Sequence, residues 1–457
     1  MVLQDAKTAI AAAASMMAFL IYVKNMQKYA FSLMLQNYNK LLTFVRINRI
    51  PFIPDMKSIN IILAAAVASL SIAASAQSRT APAPVSTKDY QFTTVKENPI
   101  TPVKNQYRSG TCWCFSALSF LESEAIKTKN IKDTTLYPDF SEMYVIRKAY
   151  KDRALKYVRL NGKLNMAAGS DFGDVLDVAQ MYGLMDQKAY TGMNYGYELP
   201  VQGELDAVLK GYVDAVVKNP NRKLTPVWPA GFDGILDAYL GEVPERFTVN
   251  GVSYTPESYR NFYRINADDY VNLTSFTHHP FYTQFAIEVE DNWRWTPAWN
   301  VPLDEFMAII DYAVNNGYTV AWGGDVSEPG FTRDGLAILV DTEAKATSGS
   351  DQERWVGKAD EKPAEKTAAK EIEVTQENRQ LWFDEKTSTD DHGMHLFGIA
   401  KDQNGTKYYL IKNSWGVTGA YDGIWYMSEN FCKAKTLNIV VNKKAIPANI
   451  RKKLGIN

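Results

Sequence analysis

The fold is decided by the stretch Gln106-Tyr107-Arg108-Ser109-Gly110-Thr111-Cys112-Trp113-Cys114-Phe115-Ser116-Ala117. A polar, glycine-bearing loop leads here into apolar residues that recur at helical spacing, which predicts a helix over residues 112–127. Cys112 then occupies the first turn, where unpaired backbone N–H groups and the helix dipole favour a thiolate. The pattern therefore predicts that Cys112 is a catalytic nucleophile.

Two further motifs lie far downstream of this stretch. One is His392-Gly393-Met394, and the other is Asn413-Ser414-Trp415-Gly416. Together with a Gln six residues before a Cys-Trp pair, and in this order, they resemble the active-site segments of papain-like cysteine peptidases.

The resemblance implies a role for each motif residue. Cys112 would attack the substrate carbonyl, and His392 would accept the thiol proton and later donate it to the leaving amine. Asn413 would orient the imidazole, and Trp415 would shield that contact from water. Gln106 and the backbone N–H of Cys112 would stabilise the oxyanion.

Two histidines compete for the role of base, because His395 lies only three residues after His392. In the family the catalytic His is followed by a small residue and, six positions on, by Gly; Gly393 and Gly398 fit that register only from His392. An odd offset along a strand also places His395 on the opposite face. We therefore assign the base to His392 and expect His395 to be a strand residue.

Several other polar residues have blander interpretations. His278-His279 precedes Pro280 in a loop-like context, and a surface or structural pair is favoured over metal binding. Asp390 and Asp391 are expected to form an exposed acidic turn. No metal and no cofactor are predicted.

A glycine-bearing turn before the third predicted helix contains Gly169 and Ser170. In the family, this turn presents backbone to an extended substrate peptide, which makes Gly169 and Ser170 candidate substrate-binding residues. The alternative is an ordinary helix N-cap by Ser170 or Asp171, and the sequence favours neither interpretation.

Two departures from papain narrow the resemblance. Ser109 stands where papain has a disulfide-forming Cys, and 280 residues separate Cys112 from His392, about twice the usual 130–150. Both features resemble the bleomycin hydrolase and aminopeptidase C branch, which implies a homohexameric cysteine aminopeptidase acting on peptides.

Relative to that branch, the chain is expected to lack about a dozen C-terminal residues that anchor the substrate amine. Without those residues, an endopeptidase is one alternative. A non-catalytic papain-fold scaffold is another, although Gln106, Cys112, His392 and Asn413 are all present. An acyltransferase with the same Cys-His chemistry is disfavoured by the Asn-Ser-Trp-Gly context.

Composition agrees with a globular protein. The 457 residues are 46% hydrophobic and 22% charged with a net charge of −1, which gives no reason to expect a nucleic-acid partner. Three cysteines cannot form a disulfide framework.

The N-terminal 76 residues read as targeting sequence. Residues 56–76 combine a Lys, an apolar run and a small-residue cleavage site, so we expect a signal peptide and a secreted or periplasmic protein whose mature domain spans residues 77–457. Residues 1–55 are either an upstream extension that is not translated natively or an N-terminal membrane segment.

The order of predicted elements gives the fold class. Helices are predicted at residues 140–159, 172–182 and 303–316, and strands at 318–323, 395–401, 408–413, 423–428 and 437–442. Residues 190–300 are interpreted as a family insertion and 341–376 as a charged surface insertion. We predict an α+β, papain-like fold with a helical subdomain that carries Cys112 and an antiparallel β subdomain that carries His392 and Asn413.

Overall fold

The computed structural model describes residues 87–221, 223–340 and 371–456. The predicted signal peptide (56–76), the upstream segment (1–55) and most of the charged insertion (341–376) lie outside the described residues. No helix in the described ranges is both long and apolar enough to cross a membrane.

The described residues form ten α-helices, six of which lie between residues 112 and 263. Their ends carry the expected capping signals: Ser141 accepts a hydrogen bond from the backbone N–H of Tyr144 at the start of the second helix, and Asn130 ends the first in the left-handed conformation. The helices are α1 Cys112–Lys129, α2 Glu142–Arg159, α3 Phe172–Tyr182, α4 Gly203–Val217, α5 Trp228–Leu240, α6 Pro256–Tyr263, α7 Leu303–Asn315, α8 Gln376–Asp384, α9 Glu429–Lys435 and α10 Ala448–Leu454.

The described residues also form short and long β-strands, most of which belong to one large mixed sheet. The strands are β1 Thr93–Glu97, β2 Phe247–Val249, β3 Val252–Tyr254, β4 Tyr270–Thr274, β5 Gln284–Ala286, β6 Pro297–Asn300, β7 Val320–Gly324, β8 Leu336–Ala337, β9 His392–Lys401, β10 Lys407–Lys412, β11 Ile424–Ser428 and β12 Thr436–Asn442. The order in the large sheet is β5-β6-β4-β12-β7-β9-β10-β11-β8, with β1 paired to β9. Neighbouring strands are antiparallel except for the pairs β4–β6 and β8–β11, so the predicted antiparallel sheet is correct for its centre.

Two hydrophobic cores correspond to the two predicted subdomains. One core joins α1 to the helices α2–α6, and the other fills the space between the sheet and helices α7, α9 and α10. Helix α1 lies between them, and its residues from Trp113 to Ile126 are all buried. Helix α1 contacts β7 and β9 as well as other helices. Because it is covered on all sides, its buried residues are not confined to one face.

Candidate active site

Cys112 is the first residue of α1, as predicted, and it is the one cysteine that is not fully buried. The preceding residue, Thr111, makes no side-chain cap hydrogen bond. Backbone N–H groups of Trp113 and Gly393 instead reach the sulfur and lower its pKa, although burial outweighs them and raises the pKa of Cys112 to about 12. The Trp113 N–H is thus the donor expected at the helix start and Gly393 adds one from β9, but burial, together with the nearby carboxylates of Asp390 and Asp291, favours the thiol.

Two glycines on neighbouring strands allow α1 and α3 to pack closely against the sheet. Gly323 on β7 pairs with Gly393 on β9. A Cβ atom on Gly393 would lie 2.8 Å from the Ser116 hydroxyl, and one on Gly323 would lie 2.6 Å from the Asn438 side chain. The absence of these side chains leaves a cavity beside Cys112, lined by both glycines and by the Phe172 ring.

His392 begins β9 and lines the same cavity as Cys112. Its Nε2 lies 2.8 Å from Oδ1 of Asn413, the residue that follows β10. Oδ1 also accepts a hydrogen bond from the backbone N–H of Ser414 at 2.7 Å. Because an amide oxygen can only accept, Nε2 of His392 carries the proton and Nδ1 is left as the proton acceptor.

Trp415 packs against the imidazole, with 4.8 Å between the two ring centroids. The structure therefore places Trp415 where the resemblance predicts a shield. Burial lowers the pKa of His392 to about 4, while the hydrogen bond to Asn413 acts in the opposite direction. Since burial penalises a lone charge on either group, a proton that moves from Cys112 to His392 creates two opposite charges that stabilise each other.

Gln106 is fixed beside the start of α1. Its backbone N–H donates to the Ser414 carbonyl at 2.8 Å, and its side-chain oxygen accepts from the Ser414 hydroxyl at 2.5 Å. One N–H of its side-chain amide donates to the Ser109 carbonyl at 2.9 Å. The amide has a second N–H, which is the group available to an oxyanion.

The turn at residues 167–170 is held rigidly by a buried arginine. Arg153 donates to the Gly169 carbonyl at 2.5 Å and to the Ser170 hydroxyl at 2.6 Å, and Trp293 donates to the same hydroxyl at 2.7 Å. The cap of α3 is Asp171, whose side chain accepts from the Gly173 N–H at 2.7 Å. The N-cap interpretation is therefore correct, with Asp171 and not Ser170 as the capping residue. Ser170 lines the cavity but Gly169 does not, and substrate binding by this turn stays a prediction.

The cavity is strongly acidic, which the sequence did not indicate. Its lining includes Asp171, Asp291, Asp390 and Asp391 but no Lys or Arg among the described residues. The prediction of an exposed acidic turn at 390–391 is correct for Asp391 and wrong for Asp390. Asp390 is half-buried and lines this cavity, two residues before β9 begins.

The charges in the cavity are poorly compensated. Burial raises the pKa of Asp390 well above its ordinary value, and the neighbouring carboxylates of Asp291 and Asp171 raise it further. Burial also raises the pKa of Asp171 to about 6. Burial also raises the pKa of Asp291, but the Arg153 guanidinium and a 3.0 Å hydrogen bond from Asn165 oppose this rise.

The remaining predicted residues lie elsewhere. His395 is fully buried behind α1, where its Nδ1 lies 2.8 Å from the Ser119 hydroxyl; it is a strand residue, as expected. Cys114 is buried with its sulfur 3.5 Å from the Glu142 carbonyl. His278 and His279 lie outside the cavity and contact Glu288.

Comparison with known proteins gives a consistent relationship. A family model described as "Peptidase C1-like family" matches residues 54–150 and 247–456. The chain is 24% identical to aminopeptidase G of Lactobacillus delbrueckii subsp. lactis over 383 residues, covering 76% of this chain and 82% of that protein. It is 21% identical to human bleomycin hydrolase over 397 residues, covering 76% of this chain and 82% of the relative. Among solved structures, pepw from Lactobacillus rhamnosis HN001 superposes with a TM-score of 0.61 at 18% identity, covering 89% of this chain and 96% of the other, which supports the fold.

Proposed function

Since the chain belongs to the Peptidase C1-like family and is a cysteine peptidase, we propose that it removes residues from the free N terminus of peptides. The relatives named aminopeptidase G, E and C and bleomycin hydrolase support this activity. The cavity beside Cys112 supports peptides with a free α-ammonium group as the substrate class.

The proposed reaction starts with proton transfer from Cys112 to Nδ1 of His392. The thiolate attacks the scissile carbonyl carbon, and the carbonyl electron pair moves onto oxygen, where the Gln106 amide and the Cys112 N–H donate to it. The imidazolium then protonates the leaving amine as the C–N bond breaks, which leaves an acyl-enzyme. Water, deprotonated by His392, hydrolyses the thioester and restores the thiol.

The single observation that carries the aminopeptidase proposal is the ring of carboxyl groups next to Cys112. Asp390 accepts no hydrogen bond from the described residues, and no lysine or arginine in the described ranges lines the cavity. A half-buried carboxylate without a nearby cation is destabilised in its charged form, and a positively charged ligand reduces that cost. The α-ammonium group of a peptide would supply this charge within reach of the nucleophile.

The experiment compares one unstructured peptide with its N-acetylated twin, each digested under reducing conditions and analysed by mass spectrometry. We expect stepwise loss of N-terminal residues from the free peptide only, and no products with Cys112→Ala. Equal internal cleavage of both peptides would show an endopeptidase instead. In that case the carboxylates would serve internal basic side chains, and a lysine-containing acetylated peptide would be cleaved faster than its norleucine analogue.

A matched pair of variants tests the cavity itself. Asp390→Asn keeps the shape of the side chain but removes its charge, whereas Asp334→Asn changes an exposed carboxylate outside the cavity. Loss of a hydrogen bond to a charged group is worth about 1.5–3 kcal/mol. We therefore expect kcat/KM on the free peptide to fall about 10- to 100-fold with Asp390→Asn, and to be unchanged with Asp334→Asn.

We make two further proposals, one from the N-terminal sequence and one from the resemblance to the bleomycin hydrolase branch. Residues 56–76 would direct the protein out of the cytoplasm to the periplasm or the medium, and the mature protein would assemble as a homohexamer. N-terminal sequencing of protein recovered from cell fractions tests the first, with Gln77 as the expected new N terminus. Light scattering of the purified protein tests the second, with a mass near six chains as the expected result.

A further inference from the structure

A second cluster of chemically active side chains lies away from the cavity, on the two segments that flank β5. It contains His278, His279 and Glu288. Nε2 of His278 lies 3.1 Å from one carboxylate oxygen of Glu288, and Nε2 of His279 lies 2.9 Å from the other. Two of the four histidines in the chain thus converge on one carboxylate.

The two imidazole rings are held in place by aromatic contacts. The His278 ring is stacked on Phe383 with 5.6 Å between centroids and an interplanar angle of 17°. The His279 ring is stacked on Phe285 at 4.1 Å and 23°. Exposed side chains normally lose rotamer entropy when they bind a ligand, and this packing has already fixed both rings.

A second contact controls the far side of His278. Its Nδ1 lies 3.3 Å from Oε1 and 3.1 Å from Nε2 of Gln380 on α8. Without an ion, the amide N–H of Gln380 can donate to Nδ1, and Nε2–H of His278 then donates to Glu288. Metal binding requires the other tautomer, in which Nδ1–H donates to Oε1 and the lone pair of Nε2 is free for the ion. Metal-bound histidines commonly donate their other ring N–H to such a partner.

We propose that His278, His279 and Glu288 bind a divalent transition-metal ion of the zinc type. Two imidazole nitrogens and one carboxylate are a donor set that suits Zn²⁺, with water completing the coordination. The three ligand atoms lie within 4.8 Å of one another. Ligand atoms about 2.0–2.1 Å from a tetrahedral zinc ion are about 3.3–3.4 Å apart, so the widest pair must close by up to about 1.5 Å.

The bound ion joins the two sides of β5 and, through Gln380, lies next to α8. His278 and His279 belong to the loop after β4, Glu288 follows β5, and Gln380 connects the cluster to α8. The site therefore acts as a clamp on the edge of the sheet. It does not depend on the peptidase chemistry, because none of these residues lines the cavity beside Cys112.

The test is a calorimetric titration of the full chain with Zn²⁺ alone, in a Cys112→Ala background. That background removes the active-site thiolate as a competing ligand, and Cys114 and Cys432 are buried. We expect one ion per chain, binding at least tenfold weaker with His278→Gln, His279→Gln or Glu288→Gln, and unchanged binding with Glu290→Gln, which alters an exposed carboxylate two residues away.

A second measurement separates metal binding from a folding defect. With EDTA, the unfolding temperature of all variants should match the parent, and Zn²⁺ should raise it in the parent and in Glu290→Gln but not in His278→Gln. The absence of saturable binding would overturn the proposal. So would binding of equal strength in the His278→Gln, His279→Gln and Glu288→Gln variants.

Discussion

Nε2 of His392 lies 2.8 Å from Oδ1 of Asn413, and the backbone N–H of Ser414 donates to the same oxygen at 2.7 Å. This second bond prevents the Asn413 amide from turning its nitrogen toward the ring. The imidazole tautomer is therefore fixed by the backbone that follows β10, with Nδ1 as the base.

Removal of the orienting amide should impair the chemical step. In Asn413→Ala the imidazole loses its acceptor and can adopt the other tautomer. A hydrogen bond to a group that becomes charged is worth about 1.5–3 kcal/mol, so we expect kcat to fall about 10- to 100-fold with KM little changed. Steady-state kinetics measures this, with Trp415→Phe, which keeps an aromatic cover on the ring, as a control that should lose less. Equal losses in both variants would contradict the separate roles of the two residues.

Gln106 should contribute mainly to kcat, because its amide N–H is positioned for an oxyanion rather than for the ground state. Removing one such donor typically costs about 2.7–4 kcal/mol, or 10²–10³ in kcat. We expect a loss of that order with Gln106→Ala and none with Gln403→Ala, which changes an exposed glutamine. A rise in KM with unchanged kcat would show that Gln106 binds substrate instead.

Gly169 is a steric requirement of the acidic cavity. A Cβ atom at this position would lie 1.9 Å from Oδ2 of Asp291, so Gly169→Ala must displace that carboxylate. We expect a reduced kcat/KM on free-amine peptides. Gly211→Ala is the matched control: it lies exposed in α4 with no atom within 4 Å of its Cβ position, and alanine there should stabilise the protein by about 0.5–1 kcal/mol. Unchanged activity of Gly169→Ala would show that the position of Asp291 does not matter.

Glu124 on α1 makes stability depend on pH. Burial raises its pKa from 4.5 to about 7, although a hydrogen bond from Asn442 opposes this shift. Because the folded state then holds the proton more tightly than the unfolded state, the free energy of unfolding falls as pH rises from about 4.5 to 7.

The uncharged variant Glu124→Gln should not show this fall in the free energy of unfolding with rising pH. Between about pH 5 and pH 8 it should lose less stability than the parent, by about 1–3 kcal/mol, as measured by urea unfolding at each pH. Glu373→Gln, an exposed carboxylate, should behave like the parent. Identical pH profiles for the parent and Glu124→Gln would contradict the account.

The sequence was informative where chemistry lies in contiguous motifs. The residues around Cys112 and Asn413 predicted the start of α1 and the end of β10, because a helix N-terminus and a strand end each have local signals. Those same motifs supplied the partners of His392. The capping residue of α3 was open between Ser170 and Asp171, since both types cap helices equally well; the buried Arg153 decides it by occupying Ser170.

The acidic cavity could not be predicted, because sheet register assembles it. Asp171, Asp291 and Asp390 are distant in sequence and meet only where β7 and β9 place Gly323 opposite Gly393. In the sequence alone, the acidic pair Asp390-Asp391 before a strand is typical of a solvated turn. The structure is needed to show that Asp171 and Asp291 line the same cavity as this pair.

The most direct test of the central claim is covalent labelling with a peptidyl chloromethyl ketone, followed by intact-mass analysis and peptide mapping. The account predicts one label per chain, on Cys112, in proportion to lost activity, with Cys114 and Cys432 unlabelled and no label on Cys112→Ala. A label on another residue, or peptide hydrolysis by Cys112→Ala at the rate of the parent, would contradict the assignment of Cys112 as the nucleophile.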